Sequence, residues 1–240
     1  MKPILFNTEM VQAILDERKG ATRRVIKPKY SNTHFEFRTD KYGTEFVEIQ
    51  NEVEGETFGK NPDGTNWFKL KGYIVPKSPF KVGDILYVQE TWKIHALNPS
   101  SYCMMITYKA DGYKELQVNF TPSRYDKFEK FYHKNGWQSP YFMPKEAARI
   151  FLRVTGVKLE RLRAMNVNDF LQEGICLLPQ TFTSAIDSVI AHAEQFRAIW
   201  DSTIKKQDLD LYGWNANPWV RAIEFERITK EEAMRSEQTS

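Results

Sequence analysis

The sequence predicts an α+β protein, mainly β: a small β-barrel with helices across its open ends. Three observations carry this. Short stretches in which apolar and polar residues alternate recur along the chain, as in half-buried strands. One helical segment stands near the start, and further helical segments come just before the last strand. That order argues against a doubly wound βαβ sheet, in which strands and helices would take turns.

The elements follow in order. Pro3 to Phe6 reads as a short strand. Asn7 or Thr8 caps a helix with Met10, Val11, Ile14 and Leu15 on one face, expected to end near Lys19-Gly20. Residues 29–78 read as an insertion. Within it, His34 to Arg38 and Glu45 to Ile49 alternate around Asp40-Lys41-Tyr42-Gly43 and predict a hairpin. Asn61-Pro62-Asp63-Gly64 is a turn signal and Trp67 to Leu70 a strand signal. A Gly83-Asp84 turn feeds a buried strand to Val88 that continues through Gln89-Glu90-Thr91-Trp92. Tyr102 to Tyr108 is another strand. Residues 111–140 carry few regular signals and read as a second insertion. Ala147 to Leu162 predicts a long bent strand with a bulge at Gly156. Asn166 or Asn168 caps a short helix ending near Gly174. Residues 184–204 carry a helical stripe that includes Phe196, Ile199 and Trp200, and Pro218 to Glu226 alternates as the last strand. Residues 1–229 thus form one domain, and 230–240 a polar tail expected to fray.

Composition narrows the function. A hydrophobic fraction of 41% supports a real core, and a charged fraction of 27% argues against general disorder. Net charge is only +3, so any nucleic-acid binding rests on a local patch, or the substrate is small. Cys103 and Cys176 form no Cys-x-x-Cys pair and the four histidines are scattered, so neither a metal site nor a disulfide framework is expected. The start of the chain has too short an apolar run for a signal peptide, and no stretch is long enough to span a membrane. A reducing cytoplasm is the expected location.

Four segments are candidates for chemistry. Arg18-Lys19-Gly20-Ala21-Thr22-Arg23-Arg24 places four cations within seven residues. Cations at a helix C-terminus neutralise its dipole, which is one reading. In the other, a crowded, desolvated Lys19 loses its proton and activates the Thr22 hydroxyl or a water, while Arg18, Arg23 and Arg24 hold phosphate or a base edge. Glu173, before a helix-ending Gly, carries no signal of its own. Glu90 and Trp92 point to one side of a strand, Glu90 toward a cleft and Trp92 either stacking or packing. Tyr212, Trp214 and Trp219 lie in a turn-rich aromatic stretch suited to stacking on bases or to plugging the barrel.

Taken in order, Ala-Ile-Leu-Asp-Glu-Arg-Lys-Gly-Ala-Thr-Arg-Arg (13–24), Phe-Lys-Val-Gly-Asp-Ile-Leu-Tyr-Val (80–88) and Val-Arg-Ala-Ile-Glu-Phe-Glu-Arg (220–227) resemble the ASCH domain family of the PUA-like superfamily. Gln-Glu-Thr-Trp (89–92), Met-Pro-Lys-Glu-Ala-Ala-Arg-Ile (143–150) and Tyr-Gly-Trp-Asn-Ala-Asn-Pro-Trp (212–219) look like phage or prophage versions. The chain departs from the family at Glu17, where Gly is usual, and at Gly20, where Thr is frequent. The resemblance implies a PUA-like barrel in a bacterial host cell. It also implies the activity of the small bacterial ASCH enzymes, which hydrolyse N(4)-acetylcytidine to cytidine and acetate without a metal or other cofactor. Their Lys, Thr and Glu fall on Lys19, Thr22 and Glu173. Lys19 would take a proton from Thr22 or a water, and Glu173 would pass one to the departing nitrogen. Two further readings stay open: a module that binds RNA or a modified base, or cleaves RNA, and a phage protein that engages a host defence factor.

Overall fold

The computed structural model describes residues 1–29, 33–40, 43–50, 78–112, 116–176 and 184–238. The chain is α+β. In chain order its strands are β1 (Lys2–Leu5), β2 (Ala21–Val25), β3 (Thr33–Asp40), β4 (Gly43–Gln50), β5 (Ile85–Gln89), β6 (Trp92–Asn98), β7 (Cys103–Tyr108), β8 (Leu116–Asn119), β9 (Phe151–Arg161) and β10 (Trp219–Ile228). The helices are α1 (Thr8–Leu15), α2 (Pro122–His133), α3 (Val167–Gln172), α4 (Ala185–Thr203), α5 (Leu209–Tyr212) and α6 (Lys230–Gln238).

The strands build three sheets among the described residues. The largest has the order β1-β5-β9-β10-β2, with β1 parallel to β5 and the other neighbours antiparallel. β3 pairs with β4 as the predicted hairpin, and β6-β7-β8 form the third sheet. None of the three closes, which corrects the expected barrel. The sheet stays open because its edge strands β1 and β2 do not pair with each other; they are joined in sequence by α1. The strand expected to run on to Trp92 is interrupted at Glu90 and Thr91, and the chain leaves the large sheet there to start β6 in another.

Three apolar clusters sit around these sheets. Val11 and Ile14 of α1 cover the large sheet at Leu86, Leu152, Val154 and Ile223. Phe170 of α3 and Phe196 and Trp200 of α4 pack with Leu162 and Val220 at the end of that sheet. The third sheet is filled by Trp92, Met104, Ile106 and Tyr108, against Tyr125, Phe128 and Phe131 of α2.

α1 ends earlier than expected. Glu17 takes the left-handed conformation, φ 59°. The Arg18 amide reaches back to the Ala13 carbonyl at 2.8 Å and the Glu17 amide to Ile14 at 3.1 Å, a Schellman closure with Glu where Gly is usual. The bulge predicted in β9 is present: Gly156 pairs with Glu224 and Val154 with Phe225, which leaves Thr155 as the extra residue. Two segments are more regular than their sequence suggested. Residues 111–140 contain β8 and α2, and the tail after Thr229 forms α6, held by buried Ala233 and by Glu237, which pairs with Lys145 at 2.7 Å and the Met1 amino group at 3.0 Å. The Asn61–Gly64 turn and the Trp67–Leu70 strand lie outside the described residues. Among the described residues no helix is long and apolar enough to cross a membrane.

Candidate active site

The site forms where the end of α1, the start of β2 and the end of α3 meet. α3 is fixed at both ends. Asn166 caps it and Asp169 answers in a reciprocal capping box. Gly174 then turns the chain away with φ 88°. A side chain at Gly174 would place its Cβ 2.8 Å from the Ala13 Cβ and 3.3 Å from the Lys19 Cβ, so the bare glycine lets α1 and α3 approach. Backbone bridging between Lys19 and Glu173 follows from that approach.

The side chains then lock together. Lys19 Nζ donates to Glu173 Oε2 at 2.6 Å and to the Glu173 carbonyl at 2.9 Å. Arg23 Nη1 donates to the other carboxylate oxygen, Oε1, at 3.3 Å. The same guanidinium reaches Glu160 through Nε at 2.7 Å and Asp169 through Nη2 at 2.8 Å. Lys19, Arg23 and Glu173 are all buried. Burial pushes the Lys19 ammonium below the ordinary lysine range; Glu173 works against this, and Arg24 and Arg23 add to it.

A cavity of about 370 Å³ opens against this cluster, lined in part by Phe6, Thr22, Arg24, Glu173, Phe196 and Trp200. That is within the size range of small-molecule sites. Glu173 faces it, while Lys19 stands behind, with Nζ 5.8 Å from the centre of the Phe6 ring. The Thr22 hydroxyl makes no hydrogen bond among the described residues. Glu173 also borders a second space of about 680 Å³, which Arg18, Cys176 and Gln195 line. Cys103 and Cys176 form no disulfide, and among the described residues no group of three or more His, Cys, Asp or Glu could hold a metal.

The sequence candidates thus separate into two sets. Lys19, Thr22, Arg23, Arg24 and Glu173 come together. Arg24 donates to the Leu5 carbonyl at 2.7 Å and lies over the Phe6 ring at 5.4 Å. Arg18 binds the Gly174 carbonyl and Asp16, each at 2.9 Å, and borders only the second space. Glu90, Trp92, Tyr212, Trp214 and Trp219 line neither space. Glu90 is gripped by Arg149 through two hydrogen bonds of 2.9 Å, and Arg149 also holds Asp111 at 2.7 Å. Burial pushes the Glu90 carboxyl up although Arg149 opposes it. Trp92 is wholly enclosed in the core with Phe128 and Phe131, so packing and not stacking is its role. Trp214 packs against Phe170 and Phe196. Trp219 is held between Phe37, Phe46 and Arg161, and Tyr212 lies under Lys27.

Sequence reasoning missed the cavity wall contributed by α4, because Phe196, Ile199 and Trp200 read as an ordinary core stripe. It also missed Glu160 and Asp169 as partners of Arg23. The Asn166-x-x-Asp169 spacing does signal the cap, yet nothing in it signals the arginine. The chain has no match among family models, curated proteins or solved structures.

Proposed function

We propose that this chain is an ASCH-type amidohydrolase, phage- or prophage-encoded and acting in a bacterial cytoplasm, that removes the acyl group from an N(4)-acylated cytidine. The observation that carries the reading is the buried Lys19–Glu173 pair, 2.6 Å apart, of which Glu173, together with Thr22, lines a nucleoside-sized cavity.

Burial of this pair bears on the chemistry. It pushes the Lys19 ammonium below the ordinary lysine range, so Lys19 gives up a proton more readily than a surface lysine. A water beside the Thr22 hydroxyl attacks the acyl carbon, and Glu173, which faces the cavity with Lys19 behind it, takes the proton that the water gives up. The bond from the acyl carbon to the exocyclic nitrogen breaks, and Glu173 passes a proton to that nitrogen as it leaves as cytidine. The products are cytidine and the carboxylic acid, and Glu173 and Lys19 end as they began. Phe6 and Trp200 give the cavity apolar walls suited to a pyrimidine.

The alternative of an open basic groove past Arg23, Arg24 and Lys27 is less well supported. Arg23 is buried and shared among three carboxylates, which leaves it no charge to offer a phosphate. The test is turnover of N(4)-acetylcytidine followed by liquid chromatography. Cytidine should be released by the wild type, and Lys19→Ala and Glu173→Ala should each lower kcat by about a hundredfold or more. No cytidine from well-folded wild-type protein overturns the proposal.

A further inference from the structure

Away from the ion-pair cluster, the segment from α2 to the turn before Met143 has an unusual surface. Trp137, Tyr141 and Phe142 are exposed, Tyr141 by 71%, where monomer surfaces usually carry only scattered large rings. Here Tyr141 and Phe142 cluster with Phe131, and Trp137 stands at the edge of the neighbouring strand. Phe142 packs on Phe131 with ring centres 5.8 Å apart, and Tyr141 stands edge-on to Phe142 at 5.3 Å. Trp137 is brought to the edge of β6 because its neighbour Gln138 exchanges backbone hydrogen bonds with Trp92.

Cations border Trp137 and the buried ring on which Phe142 packs. Lys93 Nζ lies 4.9 Å from the Trp137 ring centre, and Lys130 and Lys134 lie 5.5 and 5.4 Å from that of Phe131. Lys130 and Lys134 are one helical turn apart and so share a face of α2. None of the three has an ion-pair partner among the described residues. A protein-binding patch would bury its aromatic rings in a core depleted of lysine. Exposed rings interleaved with free lysines match bases and phosphates instead: every base offers a face to stack, and every phosphate a charge to pair. The surface is also well placed, since Pro140, next to Tyr141, lines the 370 Å³ cavity together with Thr91.

We propose that Trp137, Tyr141 and Phe142, with Lys93, Lys130 and Lys134, form a platform for single-stranded nucleic acid that leads a base to the cavity. The binding surface stands on its own observations; the delivery of a base rests on the hydrolase reading. The substrate is then an acylated cytidine within a strand, and the free nucleoside is its minimal part.

The experiment measures fluorescence anisotropy of labelled 12-nucleotide RNA and DNA strands of one cytidine-rich sequence, and of the matching duplex, against increasing salt. The proteins are the wild type, Trp137→Ala/Tyr141→Ala, and Lys93→Gln/Lys130→Gln/Lys134→Gln. All five substituted positions lie outside the cavity wall, and circular dichroism checks the fold of each variant. Single strands should bind better than the duplex. The double aromatic variant should bind at least about tenfold more weakly. The triple lysine variant should lose about two units of the slope of log affinity against log salt. Equal binding of RNA and DNA assigns recognition to bases and phosphates, and an RNA preference adds the 2′-hydroxyl; both support the platform. No binding by the wild type, preference for the duplex, or unchanged affinity in a folded aromatic variant overturns it, and a protein partner becomes the reading of this face. Turnover of N(4)-acetylcytidine, run on the same proteins, separates the two proposals. Turnover without strand binding removes the platform alone, and strand binding without turnover removes the hydrolase alone.

Discussion

The Lys19–Glu173 pair should be worth more to the fold together than the sum of its halves suggests. Lys19→Met keeps the length of the side chain and removes its charge. Glu173 then remains buried with Arg23 as its hydrogen-bonding cation, at 3.3 Å, and Arg24 near it. Removing one partner of a buried pair costs about 3–5 kcal/mol, and the remaining arginine places this variant near the lower end. Glu173→Gln leaves the Lys19 ammonium with Arg23 and Arg24 near it and no carboxylate in contact, which places that variant near the upper end. The double variant leaves no orphaned charge, because Arg23 keeps Glu160 and Asp169. Its loss should therefore fall short of the summed single losses by at least about 2 kcal/mol. Urea unfolding followed by tryptophan fluorescence and circular dichroism gives the four free energies, provided that the two signals coincide. Additivity within about 0.5 kcal/mol would refute the reasoning, since it would mean that the pair is solvated or broken in solution.

Three more outcomes follow. The folded Lys19 pKa lies below the ordinary lysine value of 10.5, so between the two the unfolded chain holds more protons and stability rises with pH. The difference in stability between wild type and Lys19→Met should grow in the wild type's favour through that alkaline window; a flat or falling difference in urea midpoints would show that burial does not dominate. Glu17→Gly should stabilise the protein by about 1 kcal/mol, by relieving the left-handed conformation of a residue with a Cβ, and a lower melting temperature would contradict this. Glu90→Gln should cost about 2–4 kcal/mol of stability by unbalancing Arg149, while kcat on the nucleoside stays within about twofold of wild type; a collapse of kcat in folded protein would return Glu90 to the site.

Local structure was legible where the signal itself is local. Asn7, Asn166 and Gly174 mark helix ends through bonds to residues three or four away, and the hairpin and the β9 bulge follow from alternation. Closure was not legible, because it depends on which distant strands pair. At the break at Glu90 and Thr91, Glu90 is held by Arg149, 59 residues on. α2 escaped because it is polar on average and buries only Tyr125, Phe128 and Phe131, spaced three apart. α6 rests on one enclosed Ala233 and on charges from both ends of the chain. In the site, the Lys19-x-x-Thr22 spacing was visible, but Glu173 entered only through a family resemblance. Arg23 illustrates the limit: a run of cations reads as an outward phosphate binder, and only the carboxylates of Glu160, Asp169 and Glu173 turn one of them inward.

That inward turn holds the carboxylate that faces the cavity. Arg23 serves three carboxylates, and Glu173 receives the longest of the three contacts, 3.3 Å against 2.7 and 2.8 Å. Glu160 and Asp169 therefore fix the guanidinium, and the guanidinium in turn helps to place Glu173. Glu160→Gln tests the argument. Glu160 stands outside the α3 capping box, and its side chain is partly exposed, so the fold should survive. Losing the charged contact to Arg23 Nε should cost about 1–3 kcal/mol of stability and, by loosening Glu173, lower kcat by about threefold to tenfold with little change in KM, because the substituted side chain does not line the cavity. A stability loss with unchanged kcat would mean that Arg23 only braces α3 against β2 and does not place Glu173.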